Sequence, residues 1–150
     1  MKIKMTITLI TLVITVIYLI FFRIPEIVLV QQSDTYTDIV AKNFPLTKYG
    51  KIKWWNENKL FLKNKYQIPK PDQHGNYNIV IWDGGSGFKK MPEGSTLFSL
   101  GTNDLYCFSV IDSNKNCIEK NIFMEIENWQ DGQAMIRIGN DEIIQMPLKE

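Results

Sequence analysis

The chain has 150 residues and a mass of 17.5 kDa, room for one ordinary globular domain and not two. At 45% hydrophobic and 12% aromatic it is too apolar to be disordered, and two cysteines are too few for a disulfide-rich scaffold. The net charge of +1 conceals a split: all 16 acidic residues lie after Arg23, facing 14 basic ones for a net −2, which removes any electrostatic drive toward DNA or RNA.

Residues Met5 to Phe22 read MTITLITLVITVIYLIFF, without a charge, a proline or a glycine. As a helix this run spans roughly 27 Å, close to the hydrocarbon thickness of a bilayer at about 30 Å. Thr6, Thr8, Thr11 and Thr15 are tolerable there, because a threonine hydroxyl bonds back to its own helix. Lys2 and Lys4 precede the run, whereas Arg23 is followed by Glu26, Asp34 and Asp38 before the next lysine at 42. The positive-inside rule then places the N-terminus in the cytoplasm and residues 24–150 across the membrane. The rival reading is a cleaved signal peptide, but Phe21-Phe22-Arg23-Ile24-Pro25 holds no small-residue cleavage site, and no cysteine offers a lipid anchor.

After the anchor, Glu26–Gln31 reads as a short strand, and Ser33–Asn43 as a polar segment with a short helix ended by Pro45. Thr47 caps a main helix reaching about Tyr66, which Pro69 and Pro71 prevent from continuing. On its wheel Ile52, Trp55, Leu62 and Tyr66 share the face expected to pack on a sheet. Trp54 and Phe61 fall on the other side among lysines that include Lys53 and Lys65. Either the helix is covered on both faces, or these residues form an aromatic and basic patch for an acidic partner or anionic lipid. Tyr77–Trp82 alternates as a strand, Asp83–Gly87 is a glycine-rich turn, and residues 88–103 look irregular. The C-terminal half reads as a meander of Leu105–Ile111, Cys117–Asn128, Ala134–Ile138 and Glu142–Met146, with Asp131-Gly132 and Asn140-Asp141 as hairpin turns.

A hairpin turning near residues 111–114 sets Cys107 almost opposite Cys117. A disulfide there stabilises by roughly 2–3 kcal/mol in the chain-entropy model. The alternative, a redox or metal pair, has no C-x-x-C motif and only one histidine to draw on.

Other chemistry-bearing patterns are weak. The Asp83–Gly87 loop is not a phosphate-binding loop, because no G-x-x-x-x-G-K-[ST] pattern exists and Phe88-Lys89-Lys90-Met91-Pro92 opens no helix. Asp83 with Asp104 or Asp112 lacks the spacing of a calcium loop. His74 sits in a polar turn, and Ser86 and Ser95 stand in no nucleophile elbow. Glu125 and Glu127 share one face of a strand and are the best acid pair for a hydrolase of envelope sugars, yet two strand acids usually mark a solvated face. No cofactor, metal or catalytic residue is expected.

Several runs are distinctive: Asn43-Phe44-Pro45-Leu46-Thr47, Gly50-Lys51-Ile52-Lys53-Trp54-Trp55, and Lys65-Tyr66-Gln67-Ile68-Pro69-Lys70-Pro71. With Pro25-Glu26-Ile27-Val28, Trp82-Asp83 and the segments around Cys107 and Cys117, they resemble the enterobacterial putative membrane protein family DUF nine-four-three, over the anchor and nearly the whole outer domain. The resemblance implies a small single-pass envelope protein and no activity or site residue.

The expected architecture is α+β: a signal anchor over residues 1–23, then a periplasmic domain over 24–150 with one main amphipathic helix on a mostly antiparallel sheet. The expected role is a non-enzymatic binding domain at the inner membrane. It would touch the bilayer through residues 5–22 and recognise an envelope protein, in one version as an immunity-type inhibitor. An accessory part of an envelope assembly is the alternative, and an envelope hydrolase the third.

Overall fold

The computed structural model describes residues 2–21, 23–92, 104–128 and 133–145, with the side chains of the first helix described from Lys4 to Tyr18. That helix, α1, is Lys2–Phe21. Its threonines bond backwards as the run requires: the hydroxyls of Thr8, Thr11 and Thr15 donate to the carbonyls of Lys4, Ile7 and Thr11 at 3.0, 2.9 and 2.9 Å. Each described side chain of α1 is exposed, including Met5, Leu9 and Leu12. The span expected at residues 5–22 ends on a residue outside the described ones. Among the described residues no helix is long and apolar enough to cross a membrane, and the crossing expected over residues 5–22 is not shown.

Strand β1, Glu26–Ser33, turns through Asp34 and Thr35 into β2, Tyr36–Lys42, as an antiparallel hairpin. This corrects the helix expected within Ser33–Asn43. Asp34 takes the left-handed conformation at φ 50°, which a short-side-chain acid tolerates and which closes a two-residue turn. Ile39, Val40 and Ala41 are all fully buried, alternate residues facing opposite sides of a covered sheet.

Helix α2, Lys48–Tyr66, follows as expected. The Thr47 hydroxyl accepts the Gly50 N–H at 3.0 Å, a cap worth about 1 kcal/mol. At the other end Gln67 is left-handed (φ 58°), and the N–H groups of Gln67 and Ile68 donate to the carbonyls of Lys63 and Leu62. The helix is the crossover between β2 and β3, Asn78–Asp83, the one parallel pair in an otherwise antiparallel sheet.

The rest of the expected meander divides between two sheets. Strands β4, Lys89–Lys90, β5, Leu105–Cys107, and β6, Lys115–Glu119, form a small sheet in the order β4-β6-β5. The long strand expected over Cys117–Asn128 breaks at Lys120 and Asn121, whose N–H groups donate to the carbonyls of Asp104 and Glu119. Beyond the break β7, Ile122–Asn128, β8, Ala134–Ile138, and β9, Asp141–Gln145, complete the large sheet in the order β1-β2-β3-β7-β8-β9. Gly139, at φ 61°, and Asn140 make the last turn, one residue earlier than expected. The expected Asp131-Gly132 turn lies outside the described residues.

The fold is therefore α+β, with three layers. One face of the large sheet buries Ile39, Ala41, Ile79, Ile81, Met124, Ile126 and Ile136 against α2. The other buries Val40, Val80 and Trp82 against Phe108 and Ile118 of the small-sheet region. Each fully buried isoleucine is worth roughly 1.5–3 kcal/mol over an exposed one.

Candidate functional site

The most prominent surface feature is α2. It carries six lysines and one glutamate, a net +5, while the remainder of residues 24–150 carries −7. Its buried arc is not the one the wheel suggests. Trp55 and Leu62 are buried as expected, with Ile52 and Tyr66 half-buried, but Trp54 is buried too. The reason is Phe44, fully buried beneath the helix, which meets the Trp54 ring edge-on at 4.7 Å and stacks on Phe123 at 5.0 Å. Of the two readings of this side of the helix, Trp54 takes the covered one and belongs to the core, so a partner surface there would keep Phe61 without it.

Phe61 remains at the surface, 45% exposed, beside Leu60 at 65%. The Lys65 ammonium lies over two rings at once, 5.3 Å from the centre of Phe61 and 5.1 Å from that of Tyr66. Lys53 is exposed one turn from Glu57, at 3.8 Å, a pair worth little in water. Lys51, read from the sequence only as one of the helix lysines, lies within the buried arc. Its ammonium donates to the Phe123 carbonyl at 3.0 Å and stands 5.4 Å over that ring. The β3–β7 register passes from Ile81↔Met124 to Trp82↔Ile122, so Phe123 has no partner in the ladder, and Lys51 satisfies its carbonyl. Burial lowers the Lys51 pKa below the ordinary lysine value, against a smaller upward pull from Asp83.

The second polar constellation lies between the sheets. Asp38, nearly buried, accepts from Trp82 Nε1 at 2.8 Å and from the Tyr106 hydroxyl at 2.9 Å. The Trp82 and Tyr106 rings stack at 4.5 Å. Burial, then the hydrogen bond to Asp38, pushes the Tyr106 hydroxyl up to about 12. Beside it, Cys107 and Cys117 are register partners on β5 and β6 and are joined by a disulfide.

The remaining sequence candidates stay apart. His74 is exposed in a turn organised by Asp72, whose carboxylate accepts the N–H groups of His74 and Asn76 at 2.8 Å each. Glu125 and Glu127 do share a face, but Arg137 occupies both, at 2.9 and 3.2 Å, and also holds Glu142 at 3.2 Å. The Asp83–Gly87 loop is a turn in which Gly84 donates to Ala41 and Gly85 to the Asp83 carboxylate, and it leads into β4 and not a helix. Ser86 is exposed in that turn, and Ser95 lies outside the described residues. Among the described residues no three His, Cys, Asp or Glu side chains converge as a metal site.

A groove of about 380 Å³ opens where the chain leaves α1 and α2 begins, lined by Arg23, Pro25, Leu46, Tyr49, Lys53 and Trp54 among others.

These features define a small α+β domain carried behind an apolar N-terminal helix. The chain belongs to the family described as enterobacterial putative membrane protein (DUF943), whose model matches residues 1–148. Neither a curated protein nor a solved structure matches it.

Proposed function

We propose that this protein is a single-pass inner-membrane anchor bearing a periplasmic, non-enzymatic binding domain that recognises an acidic envelope partner through the outer face of α2. The observation that carries the binding reading is the Lys65 ammonium laid over exposed Phe61 and half-buried Tyr66, beside exposed Leu60, on a helix of net +5. An aromatic anchor with a cation at its rim is the composition of an interface hot spot. The acidic remainder of the domain directs this face toward a negatively charged partner.

The anchor reading is supported by α1. Its apolar side chains are exposed along Met5–Tyr18 and leave a large area needing an apolar surrounding. Counting Phe22, the uncharged run reaches 18 residues, within the range of a membrane helix. The non-enzymatic reading is supported by the engagement of Glu125 and Glu127 with Arg137 and by the isolation of His74 in its turn.

The test is crosslinking in intact cells with the full chain as bait, beside a Phe61→Ala/Lys65→Ala double variant. A protein partner recovered with the first and lost with the second supports the reading. Equal recovery with both moves the partner surface elsewhere. Reporter fusions at the C-terminus check the topology, and activity only in the cytoplasm would refute it.

A further inference from the structure

We propose that the groove at the start of α2 seats the anionic headgroup of a phospholipid from the leaflet into which α1 emerges. The inference rests on the anchored reading above, and its cations are distinct from the Phe61–Lys65 face, which starts about 12 Å beyond Lys53 along α2 at 1.5 Å per residue.

Position is the first argument. Arg23 and Pro25 line the groove and lie within three residues of Phe22, the end of the apolar run. A bilayer that holds the run places the groove at headgroup depth. Chemistry is the second. Arg23 and Lys53 supply two cations, and an arginine fork suits the paired oxygens of a phosphodiester. The one carboxylate in the lining, Glu57, touches Lys53 only at 3.8 Å with both groups more than half exposed, so it does not cancel them. Lys48 is engaged by Asp141 at 3.1 Å and is not needed. The third argument is the apolar rim. Ile24 is 83% exposed, Leu46 52% and Tyr49 77%. Together they make an amphipathic fringe suited to the boundary between headgroups and acyl chains. An acidic peptide would meet the cations equally well but would leave that fringe in water.

The test uses the full chain in phosphatidylcholine vesicles with and without phosphatidylglycerol, with a benzophenone amino acid in place of Tyr49. Adducts are identified by mass spectrometry, and insertion is read separately as resistance to alkaline carbonate extraction. The expected result is adducts to phosphatidylglycerol in the mixed vesicles. Headgroup occupancy should fall about fivefold for Arg23→Gln or Lys53→Gln, the change expected for one cation near an anionic surface. The exposed control Lys70→Gln should leave it unchanged. Inserted chain that gives no lipid adduct, or a yield indifferent to lipid charge and to both substitutions, overturns the headgroup seat while leaving the anchor standing. So do adducts to protein in place of lipid when the same residue is used in intact cells. Chain stripped from the vesicles by carbonate refutes the anchor itself, and the seat with it.

Discussion

The Tyr106 hydroxyl donates to Asp38 across the interface between the two sheets at 2.9 Å, and the Asp38 carboxylate accepts Trp82 Nε1 with its other oxygen. Two donors from different strands thus converge on one nearly buried carboxylate, tying the small sheet to the large one. Removing the acceptor strands both donors, each costing about 1–3 kcal/mol if left unpaired. Asp38→Ala should therefore destabilise the fold by about 3 kcal/mol, and Tyr106→Phe by about 1.5 kcal/mol. Thermal unfolding of the full chain in detergent, followed by near-ultraviolet circular dichroism, measures both. Equal, negligible losses would show that the clamp contributes nothing.

The same tyrosine gives the domain an alkaline limit. Its hydroxyl titrates at about 12 when folded, above the ordinary value of 10.0. A raised tyrosine pKa means the folded state holds its proton more tightly. The contribution is complete below pH 10 and is lost as pH rises through about 12. Burial raises Tyr77 in the same direction. Lys51 opposes them, since its lowered pKa makes the fold gain stability as the amine loses its proton below the ordinary value of 10.5. Phenolate absorbance should rise together with loss of tertiary structure in that window. Tyr106→Phe should flatten the stability profile there, and a profile unchanged by the substitution would count against the assignment.

The Cys107–Cys117 bond closes a separation of 10 residues beside Tyr106. Its loss should cost about 2–3 kcal/mol. Cys107→Ser/Cys117→Ser measures that cost by the fall in melting temperature. The bond also reports compartment, because such bonds persist only where the surroundings are oxidising. Cells lysed into alkylating reagent without reductant should show both thiols protected, whereas full alkylation would place the domain on the reducing side.

Trp54 and Phe61, two turns apart along α2, should separate in experiment. Trp54→Ala empties a buried site beside Phe44 and should cost about 3–5 kcal/mol. Phe61→Ala, at a position 45% exposed, should cost under about 1 kcal/mol while weakening partner recovery. Comparable melting temperatures for the two variants would contradict the burial difference.

What could be read from the sequence was whatever local chemistry decides. Thr47 and the prolines at 69 and 71 bound α2, and the turn between Cys107 and Cys117 put them opposite one another. The misreadings arose where distant partners decide. Ser33–Asn43 reads locally as a polar segment with a short helix, yet it holds strand β2, whose Asp38 takes donors 44 and 68 residues away. The wheel leaves Trp54 either covered or exposed, because Phe44, which covers it, arrives from outside the helix. Lys51 was one lysine among six until the β7 bulge left a carbonyl for it. The candidate surface was legible in composition, from Phe61 and Lys65, while its extent depended on which aromatic the core had already claimed.

Helix α1 joins the domain at a sheet edge. Residues 22–25 alone separate α1 from β1, and β1 borders the large sheet, held by one neighbour from Glu26↔Lys42 to Ser33↔Tyr36. Any force that reaches the domain through α1 is therefore a load on a single ladder. Pulled along its axis, β1 shears and its bonds to β2 share the load. Pulled away from the sheet, it unzips from Glu26 onward, one bond at a time. The link thus has a strong and a weak direction, set by the angle at which α1 is pulled.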